Sequence, residues 1–377
     1  MCRANFFHNA RRIVVKVGSG VLTAHSGLNL AVIETLSRQI NQLTAEGREV
    51  LLVSSGAMAA GMKKIGLTRR PDEIPKRQAI AAVGQSGLMM AYEQAFVQYD
   101  RKVAQVLLTG EDLNNRIRYL NARNTLHTLL AWKIIPVINE NDTVAVAEIK
   151  FGDNDHLSAM IALLMDADIL INLTDIGGLY TADPGKDPAA RLIPEVLRIT
   201  KAIEKLAGGI PGVLGTGGML TKIKAARKVT GAGIPMVIGP GLEDDVLLKL
   251  FSGKSVGTFF APAEIRLSRR KCWIGYTLKP KGTIVIDDGA ADAILEKGKS
   301  LLPGGITDVS GDFGEGAPVE LRDGRDVSLA MGLVNYSAAD IRRIMGCNTS
   351  AIRDRLGHKS YDEVIHRNNL TVFNDCR

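Results

Sequence analysis

The chain predicts an α/β fold, an open and mostly parallel sheet sandwiched by helices, followed by a small β-rich C-terminal domain. Three observations carry that expectation. Apolar strands alternate with helices from Arg12 to about Phe260, the pattern of a largely parallel sheet covered on both faces. Polar and glycine-rich runs recur where those strands end, which is where open α/β sheets bind ligands. From about Gly282 the chain changes to short β runs with glycine punctuation and one helix, Ala290 to Lys297. A boundary is therefore expected between the two: domain 1–262, linker 263–280, and a second domain with tail over 281–377.

In order, Arg12–Val17 reads as a strand ending in Gly18-Ser19-Gly20, and Leu28–Glu46 as an amphipathic helix stopped by Gly47. Glu49–Val53 is the second strand, running into Ser54-Ser55-Gly56 and a helix of small residues, Ala57–Lys64. A long helix spans about Lys76–Tyr99, then strand Lys102–Leu107, helix Tyr119–Trp132 and strand Ile134–Ile138. Asn139, Glu140, Asn141 and Asp142 break that strand, and Val144, Val146 and Ile149 alternate loosely enough for a short hairpin. The segment returns through Asp153, Asn154 and Asp155 to helix His156–Met165, then strand Ile169–Leu173. Helix Thr221–Thr230, strand Pro235–Ile238 and helix Asp245–Phe251 complete the pattern.

Composition excludes several classes. A hydrophobic fraction of 46% with 23% charged residues is that of an ordinary globular chain, and 5% aromatics argues against base stacking as the main activity. The net charge of +7 is mild. Four cysteines without CxxC spacing, and no apolar leader or spanning run, fit a reducing cytoplasm with no membrane role. Gly253-Lys254-Ser255 fails as a P-loop because Leu248 stands where the first glycine belongs, and Asp312-Phe313-Gly314 lacks the rest of a protein-kinase signature. No metal-ligand cluster is expected.

Four strand ends hold chemistry. Lys16 precedes Gly18-Ser19-Gly20, a loop whose backbone N–H groups can cradle phosphate. Gly215-Thr216-Gly217-Gly218-Met219-Leu220-Thr221-Lys222 permits close backbone approach; Thr221 is expected to cap the next helix and Lys222 to lie in its first turn. Thr174-Asp175 ends another strand before Gly177-Gly178. Ser55-Gly56 offers a hydroxyl and a helix N-terminus suited to a carboxylate. The Asn139–Asp142 and Asp153–Asp155 clusters favour a small polar ligand that carries an ammonium group. A solvated loop plus an Asx helix cap is the bland alternative.

VVKVGSG, VSSGAMAAG, VINENDTVAVAEIKFGDND, LTDIGGLYTADP and GTGGMLTK stand in the order and spacing of one family. The chain resembles the amino-acid kinase family, and within it the glutamate 5-kinases, over nearly its whole length. The NEND…GDND pair is the specific part of that likeness. The resemblance implies that Lys16 and Lys222 contact phosphates and that Asp155 organises the two lysines. It also implies that Gly18, Ser19, Thr174, Asp175 and Thr216, Gly217, Gly218, Met219, Leu220, Thr221 and Lys222 line ATP. Ser55, Gly56, Asn139, Asp142, Asp153 and Asn154 would hold L-glutamate. Mg²⁺ would come with ATP, proline would act as feedback inhibitor, and a homotetramer or homodimer is implied. Gly20 departs from the family pattern, which usually has a hydroxyl residue or Asn there. DDGAADAILEKGKSLLPGGI resembles a PUA module. Two rivals remain: a same-fold kinase for N-acetylglutamate, aspartate or carbamate, and an RNA-binding protein built on the PUA-like end.

Overall fold

The computed structural model describes residues 3–24, 27–144, 154–208, 218–264 and 267–373. The chain divides into two compact units, Met1–Ile265 and Arg266–Arg377. In the first unit the strands are β1 (Arg12–Val17), β2 (Thr23–Ala24), β3 (Gly27–Leu28), β4 (Glu49–Ser54), β5 (Val103–Leu108), β6 (Ile135–Glu140), β7 (Ile169–Thr174), β8 (Glu195–Val196), β9 (Met236–Pro240) and β10 (Thr258–Phe260). Its helices are α1 (Arg3–Asn9), α2 (Ser19–Leu22), α3 (Leu30–Ala45), α4 (Ala57–Lys64), α5 (Ile74–Val97), α6 (Gly110–Asn114), α7 (Arg116–Ala131), α8 (Asn154–Met165), α9 (Lys201–Gly208), α10 (Met219–Gly231) and α11 (Val246–Phe251).

Eight strands form one sheet in the order β5-β6-β4-β1-β7-β9-β10-β8. Every pairing is parallel except β9 with β10, which is antiparallel. β1 is central: β4 flanks it on one side and β7 on the other. The strand order therefore switches direction across β1, and the crevice beyond its carboxyl end is where such sheets bind ligands.

Strand alternation decides which side chains reach that crevice. Ile13, Val15 and Val17 of β1 and Ile169, Ile171 and Leu173 of β7 join one core with Leu36 and Ile40 of α3 and Leu88 and Phe96 of α5. Full burial of each such side chain is worth roughly 1.5–3 kcal/mol. The intervening positions, Lys16 and Asn172, fall on the opposite face, where α8 packs on β1 and β7.

Several boundaries differ from the sequence reading. β6 runs on through Asn139 and Glu140 because β5 pairs with them, Leu107 with Asn139 and Leu108 with Glu140. The polar side chains are thus held by a strand rather than starting a loop. α8 begins at Asn154, so Asn154 and Asp155 are first-turn residues. α10 begins at Met219 behind Gly218, so Thr221 does not cap the helix. α7 starts at Arg116 because the Asn115 side chain accepts from the N–H groups of Ile117 and Arg118. The short helices α1, α6 and α9 have 7, 5 and 8 residues, too few for periodicity to declare them.

The second unit holds a five-stranded sheet, β12-β11-β13-β14-β15, built from β11 (Gly282–Ile286), β12 (Ile306–Gly311), β13 (Pro318–Arg322), β14 (Ser328–Leu333) and β15 (Leu370–Val372). The expected single helix is there as Asp288–Leu295, but Ala338–Ile344 and Ile352–Leu356 are helical as well. Residues 269–277, read as linker, form a helical turn continued by a π turn with Trp273 and Ile274 buried. Apolar side chains hidden in a polar, basic stretch were the signal for it.

Candidate active site

Asp155 is the centre of the site. It is 2% exposed at the start of α8, and its Oδ1 lies 2.5 Å from Lys16 Nζ. Asn172 Nδ2 donates to the same oxygen at 2.8 Å. The other oxygen, Oδ2, accepts from Thr221 Oγ1 at 2.6 Å and from Lys222 Nζ at 3.2 Å. Burial alone would push this carboxyl up. The ammonium groups of Lys16 and Lys222, with hydrogen bonds from Lys16 and Thr221, outweigh burial and hold it well below the usual carboxylate range. One carboxylate thus serves two lysines, themselves 4% and 6% exposed, and the formal charge of the trio is positive.

The four partners arrive on three elements. Lys16 of β1 and Asn172 of β7 are register partners. Thr221 and Lys222 come from the first turn of α10. Gly18 follows β1, and a Cβ there would sit 3.5 Å from Lys16 Nζ, so glycine keeps the space beside the ammonium open. Its N–H donates to the Leu173 carbonyl at 3.0 Å. Ser19 and Gly20 then open the short helix α2, whose first N–H groups have no intrahelical acceptor and suit phosphate. Thr174 ends β7 and donates to Asp175 Oδ1 at 2.9 Å. Gly20 has its own reason to be glycine: a Cβ there would meet Asp175 Oδ2 at 2.6 Å.

A second cluster is built from neutral amides. Asn154 Nδ2 donates its two hydrogens to Ser55 Oγ at 2.9 Å and Asn139 Oδ1 at 3.0 Å, with the Ser54 carbonyl a longer, shared acceptor at 3.3 Å. Asn139 Nδ2 donates to Gln85 Oε1 at 3.0 Å. Below it, Ser54 Oγ donates to the Ser55 carbonyl at 2.9 Å and lies 2.9 Å from the buried Tyr92 hydroxyl. Since a serine hydroxyl has a single hydrogen, Tyr92 is the donor in that pair. Gly56 follows with φ 106°, a left-handed turn that glycine adopts without strain, and caps α4.

Asp142 stands two residues beyond β6, and its carboxyl is pushed up to about 6 by burial, partly offset by Arg70. Thr216, Gly217, Asp153 and the expected hairpin lie outside the described residues. Met219 is buried at the start of α10 and Leu220 is half-buried beside it. Sequence reasoning missed Asn172, Gln85 and Tyr92. Asn172 had a legible signal, a lone amide inside the apolar strand ILINLT. Gln85 and Tyr92 had none, since a long helix carries many polar positions.

Residues 11–240 match the family described as "Amino acid kinase family". The chain belongs to the amino acid kinase family. Residues 282–356 match the PUA domain, which accounts for the β-rich second unit. The glutamate 5-kinase of Syntrophus aciditrophicus (strain SB) is 52% identical over 375 residues, covering 100% of this chain and 97% of that protein. The glutamate 5-kinase of Meiothermus ruber is 52% identical over 365 residues, covering 97% of this chain and 96% of that protein. Among solved structures, UMP kinase from Ureaplasma parvum is similar at 14% identity and TM-score 0.48, over 67% of this chain and 99% of that one. Membership makes this chain a kinase of the amino acid kinase family. Among the described residues, no helix is long and apolar enough to cross a membrane.

Proposed function

We propose that this kinase transfers the γ-phosphoryl group of ATP to the γ-carboxylate of L-glutamate, giving L-glutamyl 5-phosphate and ADP, the opening step of proline biosynthesis. One observation carries the reading: a buried lysine pair organised on Asp155 adjoins, through consecutive residues of α8, an amide cluster centred on Asn154. The full-length relatives named glutamate 5-kinase support it.

The acceptor carboxylate is ionised at neutral pH, its ordinary pKa being about 4.3. It needs no general base. A carboxylate oxygen forms the new bond to the γ-phosphorus while the bond to the β–γ bridging oxygen breaks and ADP leaves with that electron pair. The difficulty is bringing two anions together, so positioning and electrostatic stabilisation do the catalysis. Lys16 and Lys222 neutralise charge on the transferring group, and Asp155 fixes where their ammonium groups stand. Mg²⁺ would enter on the nucleotide, where it supplies further charge neutralisation. Both Asp155 oxygens already accept from Lys16, Asn172, Thr221 and Lys222, so this carboxylate does not fit a metal-ligand role.

The amide cluster and Asp142 would hold the amino-acid end of glutamate, with Asp142 opposite the ammonium. Proline presents an α-carboxylate and a charged amine without the reacting side chain, and would compete there. The test is Mg·ATP-dependent phosphorylation of L-glutamate, trapped with hydroxylamine as the hydroxamate. Equal or better turnover of N-acetylglutamate, which has no ammonium, overturns the assignment.

A further inference from the structure

Resting on the reading above, we infer that Gln85 is a substrate-positioning residue that sets recognition of the amino-acid ammonium through a chain of oriented amides. The chain has one fixed end. The backbone N–H of Glu140 donates to Asn139 Oδ1 at 2.9 Å, and a backbone donor cannot reverse. Asn139 must therefore turn its Nδ2 the other way, where Gln85 Oε1 accepts it at 3.0 Å. With its Oδ1 presented as an acceptor, Asn139 takes a hydrogen bond from Asn154 Nδ2 at 3.0 Å. Asn154 is thereby left with Oδ1 as its unused atom. Among the described residues that buried oxygen has no hydrogen-bond partner.

A buried acceptor without a donor costs about 1–3 kcal/mol by desolvation, which a ligand donor in that place recovers. An ammonium group fits: it brings three N–H donors and no acceptor, so one hydrogen can go to Asn154 Oδ1 while another meets Asp142. The three amides are 8%, 3% and 6% exposed for Gln85, Asn139 and Asn154, so water does not substitute freely for any link.

Gln85 reaches Asn139 because α4 and α5 cross at unusually short range. A Cβ on Gly61 would collide with the Ile80 carbonyl, and one on Gly84 with the Ala57 carbonyl. The residue after Gly84 is Gln85. Among the described residues its Nε2 has no hydrogen-bond partner, and Oε1 is the atom that accepts from Asn139 and orients the chain.

The test compares glutamate with glutarate, which lacks the amine, by calorimetric titration of the full-length protein and by steady-state kinetics. Gln85→Met keeps the volume and removes the acceptor. It should weaken glutamate binding about tenfold, the size of one lost hydrogen bond. Glutarate binding and the ATP KM should stay within about twofold, and kcat within about threefold. Gln85→Glu keeps an acceptor for Asn139 and should retain discrimination between the two ligands. A uniform loss of both ligands in Gln85→Met, unchanged glutamate binding, or loss of discrimination in Gln85→Glu would overturn the assignment. A parent protein that binds glutamate without phosphorylating it fails the functional reading while the binding comparison still decides the role of Gln85. A parent that does not bind glutamate overturns both.

Discussion

Lys16 and Asn172 sit opposite one another on adjacent parallel strands and converge on the same oxygen of Asp155, at 2.5 and 2.8 Å. Lys222 and Thr221 take the other oxygen from a helix. The carboxylate is thus a fixture that aims two cations, and its own oxygens are fully engaged.

Lys16→Ala and Lys222→Ala should each lower kcat by about 100-fold or more, with the glutamate KM changing only a few-fold. Charge stabilisation that grows in the transition state behaves in that way. Steady-state kinetics with saturating ATP measures it, and turnover within a few-fold of the parent would mark the lysines as structural.

Asp155→Asn keeps the shape and leaves two buried ammonium groups facing a neutral amide. Breaking a buried ion pair from one side costs about 3–5 kcal/mol, so chemical denaturation should show a drop of that order along with loss of activity. Acid should act on the parent in the same direction. The folded-state pKa of Asp155 is depressed, so its stabilisation is present above the unfolded value near 3.9 and is lost as pH falls below it towards the folded value.

Asp142 makes the opposite prediction for binding. Its pKa is raised to about 6, so the carboxylate that would meet an ammonium is neutralised below that pH. The glutamate KM should be flat above about pH 7 and climb below about pH 6, approaching tenfold per unit. In Asp142→Asn the climb should vanish, and glutamate affinity and proline inhibition should fall together while the ATP KM holds. Proline inhibition that persists at full strength in the variant would place the inhibitor elsewhere.

Gly20→Ala places a Cβ where Asp175 Oδ2 stands, 2.6 Å away, and Asp175 Cβ is only 3.1 Å from it. The carboxylate has to swing and give up its bond from Thr174. The expected outcome is an ATP KM raised about tenfold, the lower end of what a hydrogen bond to a charged group is worth, with the glutamate KM unchanged. Nucleotide titration of the variant checks it.

A chain ending at Glu264 should fold and keep its activity. Each described site residue lies in the first unit, and the two units have separate apolar cores. Ala263 N–H donates to the Thr230 carbonyl, so a cut before Ala263 would remove a contact from that unit. An insoluble or inactive fragment would show that the PUA unit is required.

The sequence determined the alternation of strands and helices, the break in character after the first unit, and the identity of Lys16, Asp155 and Lys222. The alternation, the break and a lysine before a glycine turn are local and legible wherever they occur, whereas the role of Asp155 between the two lysines was implied by the family resemblance of the motifs. The sequence also placed the Asn139 and Asn154 clusters at strand and helix ends. It did not show that Thr221 serves Asp155 rather than capping α10, because that depends on where α8 lies. Asn172 became meaningful only when β7 lay beside β1 in a register that sets it against Lys16. Gln85 is 54 residues from Asn139 and reaches it through a helix crossing set by Gly61 and Gly84. Periodicity reports which face of an element is apolar. Which polar group on one element meets which group on another is decided by packing distance and register, and these exist only in the assembled fold.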